Sequence, residues 1–401
     1  MQPSRRHFLT GVGACACCLA SGAGAAVLPT DLEPLIDASY EPVDADERGM
    51  WQSCERVEEM IRTSPLRMDA PGLHEYTRGV VERLLGRPAP SLRIYLMRDS
   101  SFNAAMYPTG MMIVNTGLMA RARNEAQYAA VLGHESGHFF RKHTITNYRS
   151  VRRKGAAMAF IGVAAGAAGG GWADAANVIN QALMMSVFQF SRVLESEADA
   201  FGIMLMARAG YAPNAASLMW EQLIAERKAS AEKRNAKYKD KSNSTYSTHP
   251  PTEDRMIDLD ETAVHLARVS ETKNFEGREE WLAATRPYRA MLLEEQVSLN
   301  DAGASLYLLE NHAQDGWDGV LRYYEGEVFR LRGGEGDDEK AANSYAVATM
   351  LPDAPAEAWR NHGYALIKAG KLPEGREALN RYLTMKPDAK DAGIVRFTLN
   401  N

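Results

Sequence analysis

Two histidines stand four residues apart in the stretch YAAVLGHESGHFFRKH, His134 and His138, with Glu135 beside the first. On an α-helix four residues advance about 400°, so the two imidazoles lie within about 40° of each other on one face, about 6 Å apart along the axis. Both can then bind one tetrahedral ion. Glu135, offset by about 100°, is too far round to join them, but it can reach a water on the ion's open position. Two satisfied core histidines are the competing reading. Against it stand the apolar context AAVLGHE and Gly137, which leaves space for another element to approach closely.

Two protein ligands rarely suffice for catalytic zinc, so a third is needed. A metzincin arrangement fails, because its glycine and histidine positions hold Arg141 and Thr144. His143, nine residues from His134, falls about half a turn away on a continuous helix and reads as solvent-facing or structural. A carboxylate from another helix remains. In ESEAD, Glu195 and Asp199 share a helical face while Glu197 points elsewhere. Glu195 would bind the ion and Asp199 would accept a hydrogen bond from a ligand histidine. An ordinary acidic helix surface is the alternative for this pair.

HESGH, ESEAD 57 residues later, NTGL upstream and HPPTEDR downstream together resemble the minigluzincin zinc peptidases, the family of the CAAX prenyl endopeptidase and HtpX types. The resemblance covers roughly residues 69–255, and with the C-terminal third it is strongest to the periplasmic BepA-type subgroup. It implies one zinc per chain on His134, His138 and Glu195, Glu135 as general base, and Asp199 behind a ligand histidine. A substrate strand pairing with the edge around MMIVNTG is also implied. His249, Pro250 and Arg255 match the family's H-P-x-x-x-x-R pattern. His249 could approach the metal or donate to an oxyanion, and Thr252 could cap the next helix and bring Arg255 to the cleft. A loop merely stiffened by two prolines is the plainer possibility. The implied function is removal of misfolded or misassembled exported proteins, with the outer-membrane assembly machinery as a partner. A repeat-based chaperone with a structural or dormant zinc site is the alternative; an unligated glutamate beside the first histidine argues against it.

Around these motifs, the fold class expected is α+β and mostly helical: a metalloprotease domain with a small sheet, then an all-α tetratricopeptide-like domain. The expected divisions are 1–25, an export signal; 26–68, an acidic irregular segment; 69–260, the protease; and 261–401, the repeats. SLRIYLMRD reads as a strand with Leu92, Ile94 and Leu96 on one face, and MMIVN as a second strand after a Pro-Thr-Gly turn. Leu73, Val80, Val81 and Leu84 have helical spacing. The histidine helix should start at Asn124 as N-cap, and a helix from about Asn177 through Arg208 should carry ESEAD. Lys228 to Lys241 is a charged, solvated stretch before a polar loop.

In the last third, Trp359, Gly363, Gly370 and Pro387 sit where a 34-residue tetratricopeptide repeat places its Trp, Gly, turn Gly and Pro. Gly375 departs from the usual alanine. An earlier unit aligns Gly326 and Pro352, which lies 35 residues before Pro387. Such repeats would bind a partner or an extended segment in their concave face.

The 401 residues carry a net charge of −5, which argues against nucleic acid as partner. MQPSRRHFLTGVGACACCLASGAGA has the layout of an export signal, with Arg5 and Arg6 as a twin-arginine pair, which places the protein in the periplasm. Its removal leaves 44 basic and 51 acidic residues. A lipid-attachment box at Cys15 is disfavoured by the short apolar stretch before it. Of four cysteines only Cys54 lies beyond the signal, so no internal disulfide framework is expected. Gly155 to Ala173 is uncharged over 19 residues but holds six glycines and no leucine. That favours a Gly/Ala segment beside the cleft over membrane association, and a full span least of all.

Overall fold

A computed structural model describes residues 41–150, 190–238, 249, 253–269 and 273–400. The export signal, the Gly/Ala run, the expected helix before residue 190, the polar loop before His249, Pro250 and Thr252 lie outside these residues. The fold is mostly helical with one small sheet.

The first described helix, α1 (Ala45–Arg62), begins at Asp44, whose side chain accepts from the Glu47 amide. This region was expected to be irregular. Met50 and Cys54 pack against Ile145 and Tyr148, and charge fixes the far end of the helix: Arg93 donates to both oxygens of Glu58, at 2.5 and 2.7 Å, and the Tyr95 hydroxyl donates to the same carboxylate at 2.9 Å. Helix α2 (Pro71–Leu85) buries the predicted face of Leu73, Val80, Val81 and Leu84, and ends at Gly86 in the left-handed region.

Strands β1 (Arg93–Met97), β2 (Ala104–Met106) and β3 (Met111–Asn115) form a sheet in the order β1-β3-β2. Strand β3 pairs parallel with β1 and antiparallel with β2. It is therefore the central strand, and the substrate edge expected around MMIVNTG is not an edge. The short strand β2, hidden in FNAAMY, takes the outer place because the turn at Gly110 (φ 83°) folds it back on β3. The outer side of β1 is covered: Arg67 bridges Met97, and the Met68 amide donates to the Leu96 carbonyl at 2.8 Å.

Helix α3 (Thr116–Arg121) follows β3 directly, and α4 (Glu125–Phe140) is capped by Asn124, whose side chain accepts from the Gln127 amide at 2.8 Å. Every α4 residue except Phe139 is buried, as expected of a helix packed on all sides. Against it lies α5 (Arg192–Arg208), which begins at Ser191. Glycine allows the approach: a Cβ on Gly202 would stand 2.7 Å from the His134 nitrogen, and one on Gly137 2.9 Å from the Ala198 carbonyl. Helix α6 (Ala215–Lys233) packs on α4, and α7 (Glu253–Val269) packs on both α5 and α6.

The remaining helices are α8 (Arg278–Thr285), α9 (Arg289–Ser298), α10 (Ala302–His312), α11 (Gly319–Arg332), α12 (Asp337–Thr349), α13 (Ala356–Lys368), α14 (Leu372–Met385) and α15 (Ala392–Asn400). The first two dock on the catalytic side. Trp281 packs on Tyr128 with ring centres 4.7 Å apart and donates to the Ala122 carbonyl at 2.8 Å. Arg121 pairs with Glu226 at 2.6 Å and donates to Gln296 at 2.7 Å. Farther on, α11–α12 and α13–α14 are stacked hairpins. In the second, Gly363 faces Gly375, where the expected alanine is missing: a Cβ on Gly363 would lie 2.9 Å from the Gly375 carbonyl. Among the described residues, no helix is long and apolar enough to cross a membrane.

Candidate metal centre

Helix α4 presents His134 and His138 on the face turned to α5, and their Nε2 atoms lie 3.1 Å apart. From α5, Glu195 brings one oxygen to 3.6 Å from His134 Nε2 and the other to 3.5 Å from His138 Nε2. His249 completes the group: its Nδ1 is 3.3 Å from His134 Nε2 and 2.7 Å from Glu195. One ligand atom from each of the four residues lies within 4.8 Å of all the others, and all four residues are buried. Glu135, also buried, sits 3.5 Å from His249 Nε2.

The groups behind the ligands are equally specific. Asp199 lies 2.8 Å from His134 Nδ1, which puts the proton on Nδ1 and leaves the Nε2 lone pair facing the cluster. Arg255, from α7, grips Asp199 through Nε at 2.9 Å and Nη2 at 2.8 Å, while its Nη1 is 2.9 Å from Glu195. The guanidinium lies over the Trp220 ring of α6, 4.7 Å from its centre. Arg255 thus reaches the site as expected, with its donors occupied by the two carboxylates. Phe190 stacks on His138 at 4.0 Å between centres and lies 5.5 Å from His249.

Electrostatics sort these acids into two kinds. Burial raises Glu135 above the ordinary carboxyl range, only partly offset by His249 and His134. Burial would raise Glu195 and Asp199 too. For Glu195 it is outweighed by His249, His134 and Arg255, and for Asp199 by Arg255 and His134, so both stay ionised below their usual range. Burial and the neighbouring imidazoles hold His138 well below its ordinary value, hence neutral and able to donate a lone pair. One buried carboxyl is thus held at a raised proton affinity beside two that stay ionised.

A divalent ion fits this donor set. Three imidazoles and the Glu195 carboxylate, all buried, each bring one ligand atom within 4.8 Å of the others. Such a crowd of acceptors costs free energy unless a cation satisfies it. His134, His138 and Glu195 would hold the ion, with His249 in the remaining position.

Two residues went unrecognised in the sequence, where they were read as turned away from the site. His143 comes to His138 because α4 stops at Phe140 and Lys142 takes φ 58°, so the chain does not continue round the helix. Its Nδ1 is 2.9 Å from His138 Nδ1 and its Nε2 is 3.2 Å from Glu197. No residue pattern announces a left-handed lysine. The spacing of His138 and His143 was visible, but its meaning depended on where the helix ended.

The helix pair, the buried ligand cluster and the glutamate beside it define a metallopeptidase. Residues 68–263 match peptidase family M48, and this part of the chain belongs to that family. It is 28% identical over 214 residues to a candidate beta-barrel assembly-enhancing protease of Vibrio cholerae, covering 51% of this chain and 42% of that protein. It is 29% identical over 189 residues to the mitochondrial metalloendopeptidase OMA1 of Schizosaccharomyces pombe, covering 46% and 52%. The beta-barrel assembly-enhancing protease of Escherichia coli strain K12 shares 24% over 212 residues, covering 50% and 41%. The chain thus spans about half the length of the curated relatives it matches.

Proposed function

We propose that this chain is a zinc-dependent endopeptidase of the cell envelope that cleaves misfolded or misassembled exported proteins. The observation carrying the proposal is the convergence of His134, His138, Glu195 and His249 within 4.8 Å, with Glu135 alongside. Zinc held there would polarise the scissile carbonyl and acidify the attacking water. Glu135, its affinity for protons raised by burial, takes the proton from that water and returns it to the leaving amine. Asp199 keeps His134 in the ligating tautomer, and Arg255 holds Asp199 and Glu195 in place.

The substrate backbone pairs with β2. The Tyr107 amide and the Asn103 carbonyl bond to β3, so the alternation of an antiparallel ladder turns the backbone groups of Ala104 and Met106 outward. The Met106 amide also acts on Glu135, which puts this edge beside the base. With zinc bound, His249 would hold the remaining position at rest and give it up to substrate, so His249→Ala should raise basal cleavage; a dead variant with normal zinc content would refute the gating role.

The hairpins α11–α14 are tetratricopeptide-like repeats that engage a partner, and the names of the bacterial relatives support the outer-membrane assembly machinery as that partner. The Arg5–Arg6 signal supports twin-arginine export to the periplasm. The test is digestion of casein by the purified chain, with and without a chelator, alongside its metal content. Cleavage abolished by chelation and restored by zinc supports the proposal; binding of casein without cleavage in zinc-loaded protein would favour a chaperone with a dormant site.

A further inference from the structure

His143 is buried in the metal centre, yet it stands outside the four-residue ligand cluster. Its surroundings dictate its protons. As a ligand of the ion, His138 must keep its Nε2 lone pair free, so its proton is on Nδ1, facing His143 Nδ1 at 2.9 Å. That nitrogen of His143 must then accept, and its own proton sits on Nε2, 3.2 Å from the Glu197 carboxylate. Glu197 is in turn paired with Arg141.

We infer that His143 is a positioning residue for the metal centre, relaying the Glu197 carboxylate to His138 so that the ligand's tautomer and ring angle are fixed before the ion arrives. This inference rests on the zinc reading above. The two ligand histidines are therefore supported differently: His134 directly by a carboxylate, His138 through a second imidazole. The routes also differ in strength. Asp199 is 11% exposed, whereas Glu197 is 32% exposed and more screened by solvent. Most of the effect on His138 should accordingly come from His143 itself, with Glu197 fixing the orientation of His143.

The test is the zinc dissociation constant of the full chain, measured by competition with a chromogenic chelator, with circular dichroism of the metal-free forms as the folding control. His143→Ala should weaken zinc binding by about 10- to 100-fold, the usual effect of losing a group that orients a metal ligand. His143→Gln, whose amide oxygen can accept from His138 Nδ1, should recover most of it, and Glu197→Gln should cost less than about 10-fold. In a His138→Ala background, His143→Ala should add nothing, because the residue it acts through is gone. The visible spectrum of the cobalt-substituted protein should shift in His143→Ala and return in His143→Gln. Equal zinc affinity in native and His143→Ala protein, or an undiminished loss in the His138→Ala background, overturns the inference alone. A native chain that takes up no zinc overturns the zinc reading and this inference with it.

Discussion

The metal centre and the C-terminal hairpins are both built by helices brought together through glycine, and they differ in what lies on the contact. At the centre, Gly133 and Gly202 let α4 and α5 touch through backbone, and the ionisable pair His134 and Glu135 directly follows Gly133. In the tail, Gly363 and Gly375 do the same for α13 and α14, but the flanking residues are Leu379 and Ile367. Charges follow the same division. His134, Glu135 and Glu195 are 4%, 3% and 5% exposed, while Lys368 and Asp338, an ion pair in the tail, are 70% and 80% exposed. A glycine crossing is thus a neutral device for close approach. Function comes from the buried charges placed on it, and those charges must satisfy one another because water does not.

Four substitutions sharpen that contrast. The largest change expected is in activity: Glu135→Gln should lower kcat by about 10²- to 10⁴-fold with zinc content unchanged, read by initial rates and metal analysis on the same sample. A variant that keeps its rate would remove Glu135 from the reaction.

Next in size is Arg255→Leu. It leaves Asp199 and Glu195 buried without their cation, and losing one partner of a buried pair costs about 3–5 kcal/mol, measurable by urea unfolding of the metal-free chain. The pH dependence follows from the same pairs. Asp199 and Glu195 are depressed in the folded state, so the unfolded chain binds protons first as pH falls. Their stabilisation is complete above the ordinary carboxyl range and is lost as pH drops through it toward the depressed folded values. Removing Arg255 should flatten this acid loss; an unchanged slope would mean that Arg255 does not hold the carboxylates down.

A smaller effect is expected from Gly363→Ala, whose new methyl meets the Gly375 carbonyl and the Leu379 side chain, all at 2.9 Å. Overpacking there should cost about 1–3 kcal/mol in the tail while zinc affinity stays native. Loss of zinc in this variant would show that the two regions are mechanically one. Least of all, Lys368→Ala should change stability by no more than about 0.5 kcal/mol, because both partners of its ion pair face solvent.

Much of this architecture was legible beforehand because it follows local periodicity. Leu73, Val80, Val81 and Leu84 do form the buried face of α2, Asn124 does cap α4, and Ile94 and Leu96 are buried in β1. Helix α1 is hard to read because its buried stripe is short, Met50 and Cys54 against Ile145 and Tyr148, and a charged clamp on Glu58 holds its far end. Strand β2 was missed because three residues carry too little pattern to stand out.

The sequence alone determined the chemistry available: two imidazoles and a glutamate at helical spacing, a second helix with a paired carboxylate face, and glycines where those helices could meet. Helical geometry makes such spacing readable, since residues four apart must share a face. Tertiary structure decided which strand forms the open edge, that Arg255 clamps two carboxylates, and that His143 turns back on His138. The first and last depend on where the chain bends, at Gly110 and at Lys142, and the second on how α7 lies against α5. A bend moves every later residue by several ångströms, whereas hydrogen bonds and ion coordination discriminate within a fraction of one.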